Sequence, residues 1–400
     1  MPGQRKARWH EFLVRICNRP FSFLFLDTVR RLGDVVYVPP LGYFVHNPAI
    51  AKAVLDDPNV SNRDVGSYGA WFTQVLGEFA LLNMEGPEHR ELKSYLRKFF
   101  EDDVLESLAG EELRRSVERL RRLLDGGEPV DLSDVMRGLS SRVFARVLGI
   151  EATGAEAEEN YKQIYRLSAR LTSYGTLAKR LLSESEASSA KAVHNRLAEY
   201  TRQAYERNSN PLCIIGGLKA AGFSYPDVEG LLTSLLVAGT AIVTIAVPRI
   251  VAVLLDSGAF AEIRADPALL KGAVDESLRF ISPSNVLFRV TTGPVTVDGR
   301  SFPKGARIYV VFYSILKHGG FLPQPHAFDI RRSIPNELKH LWFGSGRHSC
   351  LGPVLAYKVI CAVLKMLLEL NGNLVVTKRA RDRNLTFPGY KRFCIACRRD

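Results

Sequence analysis

The chain contains 400 residues, of which 46% are hydrophobic and 24% charged, a composition typical of a globular protein with a large buried core. Its formal net charge of +12 suits an acidic partner, such as a small electron carrier or an acidic carrier protein. Nucleic acid is a poor candidate because Lys and Arg are spread along the chain and no nucleic-acid-binding motif accompanies them.

Strands are expected first along the chain, at 34–40 and 42–48, where β-branched and aromatic residues flank a Pro-Leu-Gly turn. Helices should follow, because apolar residues then recur at i, i+3, i+4 and i+7. The predicted helices are 103–126, 131–149 and 155–183, with joints between helices at 184–192 and 206–211.

The second half begins with a long apolar helix over 231–255. The segment 274–280 is predicted to be the last part of another helix. Short strands, an irregular Pro-rich segment, a further helix and a strand-like tail come next. The strands are predicted at 286–292, 294–299 and 306–313, and the Pro-rich segment at 314–342. The helix is predicted at 351–370, and the C-terminal residues form the strand-like tail. The sum is an α+β fold, mostly helical, in a single domain over 1–400, with small β-sheets at the N-terminal side and after the helix that ends near 280.

Targeting signals and disulfides are not expected. The N-terminal segment 1–15 is basic but has no long apolar core ending at a small-residue cleavage site. The most apolar stretch, 231–247, lies in mid-chain and is typical of a buried core helix, so we expect no membrane anchor and a cytoplasmic protein. The six cysteines are too scattered for a disulfide framework, and Cys394 and Cys397 have no second pair to complete a zinc site.

The sequence FGSGRHSCLG, 343–352, places one cysteine among glycines and cations, directly before a helical pattern. A cysteine binds a metal or attacks a carbon as its thiolate, so positive charge from Arg347 and His348 and the start of a helix would assist it. Glycines permit a tight loop whose backbone N–H groups can point at the sulfur. This loop suits either a thiolate ligand or a nucleophile with His348 as its base.

The same ten residues match F-G-x-G-x-H-x-C-x-G, the cysteine-ligand loop of the cytochrome P450 family, at every fixed position. Other segments resemble that family in the expected order. Glu276 and Arg279 form an E-x-x-R pair, Arg289 occupies the following strand, and GPEHRELK at 86–93 is similar to the family's P-P-E-H-x-x-x-R segment. The resemblance covers essentially the whole chain and is to the soluble bacterial type.

This resemblance implies a cytochrome P450 fold and a bound haem b, with Cys350 as the axial iron ligand. His89, Lys93, Arg289 and His348 would neutralise the two haem propionates. Lys93 stands where the family usually has Arg, so it would act as a point charge and not as a fork. The Glu276–Arg279 pair would be structural, buttressing the cysteine loop. The implied partners are an apolar small-molecule substrate and a ferredoxin-type electron donor, without nucleic acid or membrane.

The chain departs from the family in the long apolar helix, where A-G-x-[Asp/Glu]-Thr supplies protons to oxygen. Residues 238–242 read A-G-T-A-I, so Ala241 and Ile242 replace the acid and the alcohol. Gly239 leaves room for oxygen, and Thr240 is the nearest hydroxyl, with Thr244 a half-turn beyond the usual position. Gly239 and Thr240 are therefore the candidate catalytic residues. Pro248 should bend or end the helix.

Three explanations of this departure remain open, since two apolar side chains cannot relay protons. A substrate hydroxyl or an ordered water could replace the relay in a monooxygenase. The enzyme could instead perform coupling, desaturation, rearrangement or a peroxide-driven reaction, or the protein could bind haem without catalysis. A cysteine-nucleophile hydrolase is the alternative from a different class, and a haem spectrum would exclude it.

The segment SYGAWFTQVLGEFALL, 67–82, is expected to lie over the substrate pocket. Its aromatic residues, together with apolar residues from later segments, would form an apolar cavity or, with equal weight, part of the core. These residues are Tyr68, Trp71, Phe72, Phe79, Leu235, Ile242, Val286 and Leu287.

Overall fold

The computed structural model describes residues 2–18, 20–62, 68–152, 154, 156–174, 181–383 and 387–398. About 59% of the chain is helical, as the sequence predicted for a mostly helical α+β protein. The helices, in chain order, are α1 (Pro2–Asn18), α2 (Pro20–Val29), α3 (Pro48–Asp56), α4 (Tyr68–Leu76), α5 (Gly86–Arg97), α6 (Asp102–Leu105), α7 (Glu111–Asp125), α8 (Leu132–Leu148), α9 (Ala157–Ser173), α10 (Glu184–Arg207), α11 (Ile214–Ala220), α12 (Tyr225–Ser257), α13 (Ala259–Ala265), α14 (Leu270–Ile281), α15 (Phe312–Ile315) and α16 (Pro353–Leu368).

The strands are short and form small sheets. They are β1 (Val35–Val38), β2 (Gly42–Val45), β3 (Val60–Ser61), β4 (Val130–Asp131), β5 (Leu287–Thr291), β6 (Val295–Val297), β7 (Arg300–Phe302), β8 (Arg307–Val310), β9 (Asn373–Arg381) and β10 (Tyr390–Arg398). Five strands pair in the order β1-β2-β8-β5-β3, three in the order β4-β10-β9, and β6 pairs with β7. The five-stranded sheet therefore joins the N-terminal strands to those after α14, and its β2–β8 pair is parallel.

The centre of the fold is α12, a helix of 33 residues that packs against α8, α9, α10 and α1. Ser224 and Asp227 form a capping box at its start, and Gly258 ends it with φ 86°. Pro248 was expected to bend or end this helix, and the helix does not end there but continues to Ser257. Proline removes one helix hydrogen bond, and the fully buried residues on either side, Val247 and Arg249, hold the helix together across it.

Among the described residues, α12 is the one helix long and apolar enough to cross a membrane, and 67% of its most apolar window is buried inside the protein. It is thus the core helix that its composition indicated. The larger of two buried hydrophobic clusters extends from Ala7 in α1 to Cys397 in β10, and a smaller one lies between α2 and the five-stranded sheet. We propose on this basis that the chain folds as one domain.

Two helices, α1 and α2, precede the first strand and were missed in the sequence, where the first predicted elements were strands. The inner face of α1 carries charged residues, which hides its periodicity. Glu11 is 4% exposed and Arg15 is 3% exposed. The Arg15 Nε donates to Glu11 Oε1 at 2.9 Å, and Arg249 of α12 donates to the same carboxylate. A buried ion-pair network therefore attaches α1 to the core helix.

The predicted joint at 184–192 is wrong, because these residues form the first turns of α10. Ser183 caps this helix by accepting from the backbone N–H of Glu186, whose side chain accepts in return from the backbone N–H of Ser183. Ala187 and Ala190 face the core, so a run of small residues that resembled a linker is a closely packed helix face.

Two other predicted elements differ at their ends. The strand predicted over 306–313 stops at Val310, and Phe312 begins the short helix α15. The helix predicted over 155–183 ends at Ser173, and 175–180 lie outside the described residues. All six cysteines are free thiols, and within the described ranges no group of three His, Cys, Asp or Glu side chains could hold a metal ion.

Candidate active site

The loop around Cys350 is held in shape by its own backbone. The Cys350 N–H donates to the Phe343 carbonyl at 2.9 Å, which closes the loop immediately before α16. Gly346 has φ 70°, and a Cβ there would lie 2.2 Å from the Leu55 carbonyl oxygen, so only glycine fits. The Cys350 side chain is exposed, and its sulfur accepts a hydrogen bond from the Gly352 N–H at 3.3 Å.

The cation that acts on this sulfur is Lys93 of α5, and not the Arg347 and His348 side chains expected from the sequence. The Lys93 amine donates to the Ser349 carbonyl at 2.7 Å and also to the Arg347 carbonyl. Protein surrounding Cys350 raises the pKa of its thiol, an effect that the Gly352 N–H and the charge of Lys93 oppose. Burial, with a contribution from the charge of Arg97, lowers the pKa of Lys93 to about 8.

Arg347 and His348, the two side chains expected to lie at the sulfur, contact the carboxylate of Glu85 instead. Its carboxylate lies 3.1 Å from an Arg347 nitrogen and 3.2 Å from His348 Nε2. It also accepts from the Ser61 hydroxyl at 2.7 Å and from the Asn62 N–H at 3.1 Å. Burial would raise the pKa of Glu85, but the hydrogen bonds from His348 and Ser61 outweigh it and lower the pKa to about 2. Sequence reasoning passed over Glu85, although it stands immediately before the quoted segment 86–93.

His89 and Arg289 are buried beside this cluster, and no described carboxylate forms an ion pair or a hydrogen bond with either of them. The His89 and His348 rings are 4.5 Å apart, and no described residue forms a hydrogen bond with His89 Nδ1. Arg289 is 5% exposed and donates to the Phe288 carbonyl at 2.7 Å, with no ion pair to a described carboxylate. Burial is the main reason that the pKa of His89 falls to about 4 and that of Arg289 to about 10.

The charges at this site fit a haem. Burial lowers the pKa of His348, as it does that of His89. Three cations, Lys93, Arg289 and Arg347, lie here, and the Glu85 carboxylate forms an ion pair with one of them, Arg347. Two buried propionates carry the opposite charge, and buried carboxylates need such partners. The structure thus brings four predicted residues, His89, Arg289, His348 and Lys93, together near the cysteine loop.

The Glu276–Arg279 pair is buried and structural, as predicted. Arg279 donates to Glu276 through Nε at 2.6 Å and through a second nitrogen at 2.7 Å. The same guanidinium donates to the carbonyls of Leu316 at 2.8 Å and Pro325 at 3.0 Å. The pair therefore supports the irregular segment that leads to the cysteine loop, and its contacts are with that segment.

One face of α12 is open within an otherwise buried helix. Ala238 is exposed, and Gly239, Ile242 and Val243 are half-buried, a spacing that places them on one side of the helix. The predicted catalytic residue Thr240 is not brought to this face: it is fully buried, and its hydroxyl donates to the Leu236 carbonyl at 2.9 Å.

The hydroxyl of Thr244, the next polar group along α12, also points away from the open face. The Thr244 hydroxyl donates to the Thr240 carbonyl at 2.7 Å and is also buried. Gly239, the other predicted catalytic residue, packs so closely against the ring of Phe144 that a Cβ would lie 2.4 Å from it. The open face is therefore apolar, without an acid or an exposed hydroxyl.

The residues expected to form the apolar cavity are partly in the core and partly half-buried. Trp71 and Phe72 are buried in the core, with ring centroids 4.3 Å apart, so for them the core interpretation holds. Phe79 is partly buried and lies 6.2 Å from the ring of Phe223. Ile242, Val286 and Leu287 are half-buried, Leu235 is buried, and the Tyr68 side chain lies outside the described residues.

A glycine-bounded cysteine loop with the buried cations Lys93 and Arg289 beside it is typical of a haem-thiolate protein. Comparison with known proteins agrees: the Cytochrome P450 family model matches residues 262–370, which include the Glu276–Arg279 pair, Arg289 and the cysteine loop. The chain belongs to the cytochrome P450 family. It is accordingly an oxidoreductase whose cofactor is haem b.

Relatives and solved structures cover most of the chain. Cytochrome p450 CYP199A2 of Rhodopseudomonas palustris is 26% identical over 82% of this chain and 79% of its own. The 20-oxo-5-O-mycaminosyltylactone 23-monooxygenase of Streptomyces fradiae is 29% identical over 72% of this chain and 67% of its own. The fold is similar to that of P450BioI, crystallised in complex with an acyl carrier protein carrying hexadec-9Z-enoic acid, with a TM-score of 0.82, 21% identity and coverage of 96% of this chain and 99% of that one.

We expect the loss of Arg289 to weaken haem retention more than the loss of Lys93. Arg289 has no other anion to neutralise, whereas Lys93 already donates to loop carbonyls. A lost charge-assisted hydrogen bond corresponds to about tenfold in affinity or more. Arg289→Leu should therefore release haem to apomyoglobin about tenfold faster than Lys93→Leu does. Arg300→Leu, at an exposed strand position, is the matched control. Equal release rates for the two site variants would contradict this division of roles.

Proposed function

We propose that the enzyme is a monooxygenase acting on an apolar small molecule of secondary metabolism, with Cys350 as the axial thiolate ligand and with protons that do not come from α12. The observation that carries the last point is the apolar open face of that helix, where the hydroxyls of Thr240 and Thr244 donate to backbone carbonyls. The named activity of the Streptomyces relative, a 23-monooxygenase, supports the reaction class. Six free thiols support a cytoplasmic location.

The residues around the cysteine would divide the work of holding the cofactor. Cys350 would bind the iron, while the Gly352 N–H and the Lys93 charge stabilise its thiolate. His89, Arg289, His348 and Lys93 would face the propionates. When bound, thiolate-ligated haem supplies oxidation of unactivated bonds with dioxygen and two electrons.

The role of α12 is then to shape the oxygen side and to exclude stray water. Ala238 and Ile242 offer apolar surface, and Gly239 lets α8 approach closely through Phe144. Neither threonine hydroxyl can donate to a ligand while it donates to its own helix. A hydroxyl of the substrate, or a water ordered by the substrate, would have to move the protons.

The same observation favours a second candidate function. An enzyme without a proton relay on α12 is equally suited to coupling, desaturation, rearrangement or peroxide-driven reactions, which do not depend on relayed protons in the same manner. The two candidates differ in whether dioxygen turnover becomes efficient once a relay is supplied.

The ligand assignment is tested by replacing the cysteine. In Cys350→Ser, the red-shifted Soret band of the ferrous carbon monoxide complex should disappear, because that band reports a thiolate on the iron. Cys361→Ser is the matched control: Cys361 is half-buried in α16, beyond the loop, and its loss should leave the band intact. Persistence of the band in Cys350→Ser would show that another residue is the ligand.

The proton-delivery proposal is tested by restoring the usual pair with Ala241→Asp and Ile242→Thr. A substrate-assisted monooxygenase should gain activity of about tenfold or more on substrates that lack a hydroxyl, and hydrogen peroxide release should fall. An enzyme of the coupling or rearranging kind should divert toward hydroxylated products. Ala241→Asn with Ile242→Val is the matched control, with similar volumes but neither acid nor alcohol. Unchanged products and peroxide release would mean that protons already arrive by another route.

We further propose that electrons come from an acidic, ferredoxin-type donor that docks near the cysteine loop. Two cations close to the loop are already paired: Lys358 with Asp102 at 3.1 Å and Glu106 at 3.2 Å, and Arg347 with Glu85. Arg97 and Lys98, both exposed, remain beside Phe100, which lies close to Gly352. These two residues would provide the local positive charge.

Reduction by a ferredoxin should therefore slow as ionic strength rises, since salt screens attraction between exposed charges. Lys98→Glu should slow reduction at low salt by several-fold and flatten this dependence. Lys304→Glu, an exposed lysine in the turn before β8, is the control with the same change of net charge. A rate independent of ionic strength, or equal slowing in both variants, would remove the specific docking site.

A further inference from the structure

A cleft of about 630 Å³ lies between α1, α2, the end of α14 and the segment that follows α15. None of the residues that line it belongs to the cysteine loop, the Glu85 cluster or the open face of α12. Its inner end holds a lysine, its walls are aromatic, and its mouth is basic. The haem site leaves these features unexplained.

Lys317 forms the inner end of the cleft and is 9% exposed. Its amine lies 5.0 Å from the ring centroid of Phe280 and 4.9 Å from that of Tyr313. In the part of the chain that the structure describes, no carboxylate or other hydrogen-bond acceptor pairs with this amine. A buried ammonium without an acceptor is costly, so the position favours an anion supplied from outside.

The acidic residues of the cleft are already occupied. Glu11 accepts from Arg15 and Arg249, and Asp27 accepts from Arg30 at 2.7 Å and Arg31 at 2.8 Å. These ion pairs leave no free carboxylate for Lys317 among the described residues that line the cleft.

Burial is the main cause of the lowered pKa of two groups in the cleft, and the charges of neighbouring cations add to it. Burial, and then the charge of Arg15, lowers the pKa of Lys317 well below its usual range. Burial, and then the charges of Lys317 and Arg30, lowers the pKa of His326 to about 4. Arg8, exposed at the mouth, acts on His326 in the same direction. A negatively charged ligand would therefore be attracted into the cleft.

A row of aromatic rings leads from the surface to Lys317. The rings of Trp9 and Phe12 are stacked with centroids 5.7 Å apart, Phe12 meets Phe23 edge-on at 5.7 Å, and Phe23 meets Tyr313 at 5.0 Å. Exposure falls along the row, from 57% for Trp9 to 36% for Phe12 and 8% for Phe23. Exposed aromatic rings of this kind offer apolar surface to a ligand.

We propose that this cleft is a second small-molecule site, which binds an apolar carboxylate, an aromatic or fatty acid. The carboxylate would pair with Lys317, and the apolar body would lie along Trp9, Phe12 and Phe23. A free inorganic anion could use the lysine but not the aromatic wall, so it should bind weakly. The inference does not depend on the reaction proposed above, since the two sites share no residue.

The first test compares 2-naphthylacetate with 2-(2-naphthyl)ethanol, which has the same apolar body without the charge, by titration calorimetry on the haem-loaded enzyme. The acid should bind about tenfold more tightly than the alcohol, as expected for a charge-assisted hydrogen bond. Lys317→Met should remove this preference, and Lys304→Met, an exposed control, should keep it. The haem absorption spectrum, followed in the same titration, should not change with Lys317-dependent binding.

A second pair of variants keeps the test valid if Lys317→Met fails to fold. Leu24 lines the cleft and is 50% exposed, so it tolerates a polar residue. Leu24→Asp should weaken binding of 2-naphthylacetate about fivefold relative to Leu24→Asn, because the two differ only in a negative charge. Binding that is equal for acid and alcohol, or that is unaffected by every one of these substitutions, would overturn the proposal. So would competition by inorganic phosphate at the same concentration.

Discussion

The buried ion pair between Glu276 and Arg279 is the constraint on which the site depends. The segment from the end of α15 to the cysteine loop has no regular hydrogen-bond ladder of its own, so its position must come from other contacts. Arg279 donates to three carbonyls of this segment, those of Leu316, Pro325 and Ala327. Glu276 accepts from the backbone N–H of Asp329 at 2.9 Å. Removing one partner of such a pair costs about 3–5 kcal/mol, because it leaves an uncompensated buried charge.

A second set of charges is arranged around the cysteine loop. Glu85 accepts hydrogen bonds from Arg347 and His348, which fixes these two residues of the loop. Lys93 donates to the Ser349 carbonyl and so fixes the residue next to the cysteine. Arg289 and His89 are buried beside them: Arg289 donates to the Phe288 carbonyl, and no described residue forms a hydrogen bond with His89 Nδ1. Lys93 and His348 are also side chains that would face the propionates, so the position of the loop and the binding of haem are coupled.

Sequence reasoning succeeded where a pattern is tied to local chemistry. The glycines and cysteine of the loop indicated a thiolate by residue type, and the E-x-x-R pair and the strand with Arg289 were recognised through their resemblance to the cytochrome P450 family. It failed where tertiary contacts decide the outcome. The helix α1 was missed because Glu11 and Arg15 face inward, and the start of α10 was taken for a joint because its packing residues are alanines. The direction of the Thr240 hydroxyl depends on its rotamer, which no spacing rule reports.

The contact between Gly239 and the ring of Phe144 limits how this oxygen-side surface can change. The ring occupies the volume that any larger side chain at 239 would need, so variation there requires α8 to move away from α12. Positions 238, 242 and 243 are less restricted, since Ala238 is exposed and Ile242 and Val243 are half-buried. Substitutions in descendants of this protein should accordingly concentrate in those three positions. The distance between α8 and α12 should stay the same, so new substrates would be accommodated by exchange of side chains alone.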